Sequence, residues 1–213
     1  MTTETMTIHR GLAELKVIED RINKLLREAK FCAPAKKSMK KLDGVDIDEF
    51  KTNAQSVFDK ITALISKQAA LKRAISESNA KTYVTVAGIN FTVAMAIWMN
   101  QHGIDFQSAL LNVIDRQYSN ATAVIENANA RLSDRADAFV SATNSASDKN
   151  NMDAETLKEI RQDYMDRETM ALVDGIDVKK VKSELADKID KFKAEVDAAL
   201  SASNAVTEIT IEY

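Results

Sequence analysis

Between positions 76 and 98, SESNAKTYVTVAGINFTVAMAIW, apolar residues stop recurring at helical steps, alternate every second residue through two short runs, and then resume helical steps. Residues 81–86 and 89–93 are β-branched and aromatic, and only Ala87-Gly88 separates them, which is the pattern of a hairpin with a two-residue loop. Pairing Val86 with Ile89 sets Val84 opposite Phe91 and Thr82 opposite Val93. One face then carries Val84, Val86, Ile89 and Phe91, and the other Tyr83, Thr85, Asn90 and Thr92. Ala-Gly is not the pair that mirror-image turns favour, so a bulged three-residue loop is the alternative. A lone hairpin is marginal in water. The stretch VTEITIEY alternates again, with Ile209, Ile211 and Tyr213 on one side, and predicts a strand over 206–213 that joins the hairpin.

Elsewhere the spacing is helical. Ile8, Leu12, Leu15, Ile18, Ile22, Leu25 and Ala29 predict an amphipathic helix over 8–32, and Pro34 then opens a basic connector over 33–45. The most regular pattern covers 46–78, where Ile47, Phe50, Ala54, Val57, Ile61, Leu64, Gln68, Leu71 and Ile75 form a coiled-coil seam flanked by Phe58 and Ile65. Gln68, the one polar seam residue, either fixes register or marks a splayed position. A short helix over 94–102 is closed by His102-Gly103, with Trp98 expected in the core against the sheet. Asp105 caps a long helix over 105–141, the polar run 142–152 is a loop, and Asp153 and Asp177 cap helices over 153–173 and 177–204. SESNA at 76–80 and SASNA at 201–205 precede the two alternating segments, a weak internal repeat. The expected fold is mainly α. Long antiparallel helices form a coiled-coil-like bundle in one elongated domain, 1–213, with a small antiparallel β-sheet built from the central hairpin and the C-terminal strand.

Composition narrows the class. Hydrophobic residues at 45%, charged residues at 29%, five Gly and one Pro exclude a disordered chain and disfavour an all-β fold with many turns. A net charge of −3 gives no global attraction to nucleic acid or to an anionic membrane. Cys32 is the one cysteine, which excludes an intramolecular disulfide and suits a reducing compartment. The opening MTTETMTIHRGL lacks the cationic start and apolar core of a signal peptide, and 84–99 is too short and strand-like to span a bilayer. The expected location is therefore a virion, if the chain is phage-encoded, and otherwise the cytoplasm.

The constellations that carry chemistry are missing from the sequence. His9 and His102 lie far apart without a zinc-binding context, and no phosphate-binding glycine loop or nucleophile elbow occurs. Cys32 sits beside lysines, yet nothing nominates a general base for it. Carboxylates at helical spacing, such as Glu155 and Glu159, are solvated faces. The expectation is a protein that is not an enzyme, with no catalytic residue, cofactor or metal. Two surfaces stand out instead. Val84, Val86, Ile89, Phe91, Trp98, Ile209, Ile211 and Tyr213 are the candidate oligomer and sheet interface, through exposed strand edges. Lys36, Lys37, Lys40 and Lys41 are a candidate contact to anions, or a solvated linker, since Phe31 is the sole aromatic near them.

The N-terminal amphipathic helix, the segment LISKQAALKRAISESNAKT leading into a strand and a Gly turn, and the closing SNAVTEITIEY resemble the septicolysin-like family of bacterial and phage proteins. Asn79, Thr82, Gly88 and Asn204 are the polar landmarks of that resemblance. It implies that Asn79 and Asn204 stand at the family's asparagines before the first strand and after the last helix. IHRGLAELKVIEDRINKLL and EVDAALSASNAVTEITIEY also resemble small proteins encoded among the structural genes of tailed phages and prophages, which implies a virion or assembly component. The family name implies a cytolysin, whereas this chain lacks the lipid-facing segment of a pore former. The functions to weigh are thus a self-assembling phage structural protein with other virion proteins as partners, a membrane-active protein, and a DNA-associated protein acting through the lysines at 36–41.

Overall fold

The computed structural model describes residues 2–42, 44–146 and 152–213. Where the sequence suggests one domain, the chain divides into two compact units, one of Met1–Gly103 with Lys191–Tyr213 and one of Ile104–Asp190. Mainly helical structure with small antiparallel two-stranded sheets is the observed class, as the spacing predicts.

The first unit begins with a strand that the sequence reading does not contain. β1, Thr3–Thr7, runs antiparallel to β6, Glu208–Glu212, with Met6 opposite Ile209 and Glu4 opposite Ile211. The C-terminal strand therefore pairs with the N-terminal segment and not with the hairpin. Threonine-rich TETMT is competent for strand pairing, but its single large apolar residue gives almost no alternation. The inner face of β1–β6 packs on two helices, α1 (Ile8–Glu28) and α2 (Ile47–Lys81). Met6, Ile8, Ile18, Ile22, Leu71, Ile75, Ile209 and Ile211 form the core. Each such side chain stabilises the fold by roughly 1.5–3 kcal/mol relative to exposure. Gly11 lets the layers approach, since a Cβ there would lie 3.3 Å from Ile209 Cδ1.

α1 and α2 run antiparallel, with Gly11 beside Leu71 and Ile75 and Leu25 and Ala29 beside Phe50 and Ala54, and ion pairs join Glu14 to Lys67 and Glu19 to Lys72. Gln68, the polar seam residue, donates its amide to Glu19 at 3.0 Å and thereby marks the register of the pair. α1 stops at Glu28, short of the expected end at 32. The connector contains a minimal hairpin of β2 (Lys41–Leu42) and β3 (Val45–Asp46), and Asp46 caps α2 by accepting from Asp48 N–H.

The central hairpin has the expected register. β4 (Tyr83–Val86) and β5 (Ile89–Thr92) pair Val84 with Phe91 and Val86 with Ile89. Ala87 and Gly88 both adopt positive φ, 51° and 75°, so the tight mirror-image turn forms despite the alanine and the bulged loop does not. After it, α3 (Val93–Trp98) passes into a π-helical turn, Met99–Gly103, and α4 begins at Ile104. His102-Gly103 is thus no stop and Asp105 no N-cap. Gly103 is buried instead, with Met99 Sδ 2.5 Å and Trp98 Cζ3 2.9 Å from where a Cβ would stand. Trp98 is not the core residue expected, because it stays 45% exposed.

In the second unit the expected helix over 105–141 is two, α4 (Ile104–Ala130) and α5 (Leu132–Ala146). Of the expected loop at 142–152, residues 142–146 are helical and 147–151 lie outside the described residues. α6 is Ala154–Glu168, capped by Asp153 as expected, but it ends before 173. α5 and α6 pack through Phe139 stacked on Tyr164 at 4.8 Å and through Arg161, which reaches Asp137 at 2.7 Å and Ser133 at 2.8 Å. α7, Val178–Val206, starts in this unit and ends in the first. Asp177 stands at the position before the helix, where its carbonyl accepts Val181 N–H at 3.0 Å, but it takes φ 57°, and the side chain that accepts Val178 N–H is that of Asp174. Both S-x-S-N-A repeats lie in the last turns of helices, α2 and α7.

Candidate interaction surface

The expected interface residues separate into two groups. Val84, Val86, Ile209 and Ile211 are buried inside the subunit. Phe91 is half-buried against Phe192 of α7, edge to face at 6.0 Å, and Glu195 accepts Ala87 N–H at 2.6 Å, so the hairpin is pinned to that helix. Only Ile89 and Trp98 of the set remain exposed. Tyr213 is half-buried and donates its hydroxyl to Glu4 at 2.6 Å.

Glu4 belongs to the densest charged cluster of the first unit, which resembles a catalytic arrangement at first sight. Lys67 Nζ lies 2.9 Å from Glu4, 2.6 Å from Glu14 and 4.9 Å over the Tyr213 ring. Burial pushes the Lys67 ammonium toward deprotonation. Hydrogen bonds to Glu14 and Glu4 more than reverse this and hold it well above the ordinary lysine range. The Tyr213 hydroxyl and then Lys67 hold Glu4 below its usual range. A base locked as a cation between two carboxylates neither accepts protons near neutrality nor attacks an electrophile. What the cluster does is tie β1, α1, α2 and the chain's last residue together.

A different region has the form of a docking site. Where α1 ends and α2 begins, Leu25, Ala29, Leu42, Val45, Phe50, Ala54 and Val57 enclose a cavity of about 310 Å³, with Glu28, Lys30 and Asn53 at its margin. An adjoining hollow shares Phe50 and Ala54 and extends to Phe31 and Phe58, whose rings meet edge to face at 6.3 Å. Two of the connector's lysines are tied to the same place by their backbone, since Lys41 precedes Leu42 in β2 and Lys40 O accepts Ile47 N–H at 3.1 Å. Lys36, Lys37, Lys40 and Lys41 are all exposed and make no ion pair among the described residues. In the sequence the lysines and the apolar seam are separate features. Only the return of the connector over α2, through β2–β3, brings them together.

No family model, curated protein or solved structure matches the chain. Among the described residues no group of three or more His, Cys, Asp or Glu is placed to hold a metal ion, and no helix is long and apolar enough to cross a membrane.

The second unit contributes its own apolar surface. Phe106, Leu110, Val113 and Val124 lie along one exposed face of α4 at helical steps. Past α6, residues 169–177 form a structured loop. Asn129 donates to Met170 O at 2.8 Å and accepts Met170 N–H at 3.0 Å, while Asp174 accepts Ile176 N–H at 3.0 Å and Val178 N–H at 2.9 Å. Those backbone donors hold the Asp174 carboxyl below its usual range, Ile176 first and Val178 second. At the tip, Val173 is 97% exposed.

Proposed function

We propose that this chain is a non-enzymatic structural protein that assembles with copies of itself, and that it serves as a tailed-phage particle component of the neck, tail or capsid-associated kind. The carrying observation is its exposed surface, 14,922 Å². A compact monomer of 23.6 kDa exposes about 9,800 Å², and two separate compact units of these lengths about 11,800 Å². The excess over even the larger figure is about 3,000 Å². A standard protein–protein interface removes about 1,600 Å² in total. Large apolar side chains lie on that surface, among them Phe58, Ile65, Phe106, Leu110, Val124 and Val173, and extensive exposed apolar patches mark association sites. The particle role itself rests on the resemblance to phage structural-gene products and to the septicolysin-like family.

The test is the absolute mass of the purified protein by light scattering across salt and concentration. A defined multiple of 23.6 kDa supports assembly. A monomer throughout overturns it. Two rival readings are separated by cheap assays on the same sample. Leakage of liposomes at low concentration would favour a membrane-active protein, and steeply salt-dependent DNA binding lost on replacing Lys36, Lys37, Lys40 and Lys41 would favour a nucleic-acid role.

A further inference from the structure

We infer that the apolar groove at the α1–α2 end of one copy, beside the lysine-bearing connector, receives the acidic apolar loop at 168–177 of a second copy, so that assembly proceeds head to tail. The inference deepens the self-assembly reading and rests on it. Its first support is complementarity. The groove is walled by Leu25, Leu42, Phe50, Ala54, Val57 and Phe58, and four lysines on the adjoining connector lack ion-pair partners among the described residues. The loop, ETMALVDGID, has the opposite character, with Glu168, Asp174 and Asp177, no lysine or arginine, and Met170, Leu172, Val173 and Ile176 exposed. Opposite potentials steer encounter and reject like-charged alternatives.

The second support is preorganisation. Asn129 clamps the loop's beginning and Asp174 its end, so Val173 is displayed on a fixed scaffold and not on a floppy tail. Binding a fixed loop avoids most of the ordering cost that weakens flexible ligands. The groove's 310 Å³ lies at the small end of the range of about 300–1,000 Å³ typical of ligand pockets, a size suited to a few aliphatic side chains. Groove and loop belong to different units of the chain. A contact between unlike patches is heterologous, so it closes as a ring or continues as a filament, and each added copy leaves one groove and one loop free until closure.

Cys32 provides the test, because it is exposed, unpaired and next to Phe31 at the groove. In the full-length protein, Val173→Cys introduces a second thiol on a fully exposed side chain, which leaves the fold intact. Oxidation with diamide should give a ladder of disulfide-linked dimers, trimers and larger species on a non-reducing gel, with peptide mapping assigning the links to Cys32 of one chain and the introduced thiol of the next, and a ladder built of like-to-like links would overturn the inference. The wild type, with one cysteine, cannot pass the dimer, and Cys32→Ser combined with Val173→Cys should lose the ladder. Separately, Val173→Arg should raise the dissociation constant of the assembly about tenfold or more, and adding Lys→Glu at 36, 37, 40 and 41 should restore it. An internal disulfide within single chains would place the loop in its own groove and overturn the inference. An assembling protein that gives no ladder also overturns it and leaves self-assembly standing, whereas a monomeric wild type overturns both.

Discussion

Lys67 is the residue on which the first unit's ends depend. Its side chain is 14% exposed and stands between Glu4 and Glu14, and removing it leaves two carboxylates facing each other without a cation. Lys67→Met should lower stability by about 1–3 kcal/mol, read as a lower denaturant midpoint at unchanged slope. The same cluster sets a pH dependence whose sign follows from the direction of each shift. Glu4 is depressed in the fold, so its contribution is complete above the ordinary value of 4.5 and is lost as pH falls through the lower folded value. Lys67 is raised, so its contribution is complete below 10.5 and lost only at higher pH. Asp48, Asp153 and Asp174 act in the acid range with the same sign as Glu4. Glu4→Gln should therefore lose less melting temperature than the wild type between about pH 6 and about pH 3, and an equal loss would show that Glu4 contributes nothing. Ala87 is the opposite case, a residue the fold tolerates at a cost. With φ 51° beside Gly88 it occupies a position that asparagine adopts more readily, and its N–H to Glu195 would survive the change. Ala87→Asn should stabilise by about 1 kcal/mol, checked by urea titration.

Among the elements, the loop before α7 is the one whose order is most local. The Asp174 side chain satisfies the N–H groups of Ile176 and Val178, while Asp177, at positive φ, contributes its carbonyl to Val181 N–H. Asp174→Ala should speed amide exchange at 176–181 while leaving α5 and α6 protected. The sequence reading errs at this point for a physical reason: Asp174 and Asp177 are both good capping residues, and the choice depends on how Gly175 lets the chain turn. The hairpin and its two strands were legible from β-branched alternation on both sides of Ala87-Gly88, while the turn stayed open between a tight and a bulged loop because Ala-Gly is not a favoured pair. The seam from Ile47 to Ile75 was legible from its three-four spacing. What could not be read was pairing between the ends, because β1 contributes only Met6 to the apolar pattern and owes its place to β6. The break at Arg131 was hidden too, since apolar steps continue across it from Ala128 to Leu132 and Ala136. At 100–103 the polar run NQHG reads as a stop, whereas the chain passes through a π-turn into α4 with Gly103 packed against Trp98 and Met99. The candidate surface was legible only as parts, four lysines and a row of seam residues, since the cavity exists only once the connector folds back over α2.

At the scale of the molecule, the two units differ in how the chain builds them. The second is one continuous segment, 104–190, whereas the first needs 1–103 and 191–213 together. Deleting 206–213 removes Ile209 and Ile211 from the first unit's core, leaves β1 without a partner and frees Lys67 from Tyr213. Losing two buried isoleucines alone costs about 4–10 kcal/mol if each behaves as a truncation to alanine. That burden falls on one unit only. Trp98 is the single tryptophan and lies in the first unit, so its fluorescence reports that unit alone, while far-ultraviolet circular dichroism reports helices of both. The truncated protein should show the Trp98 transition about 10 °C or more below the wild type, with a second circular-dichroism transition near the wild-type temperature from α4, α5 and α6. A single shared transition, shifted equally in both signals, would mean that α7 couples the units into one cooperative block, and loss of the C-terminal strand would then melt the whole chain.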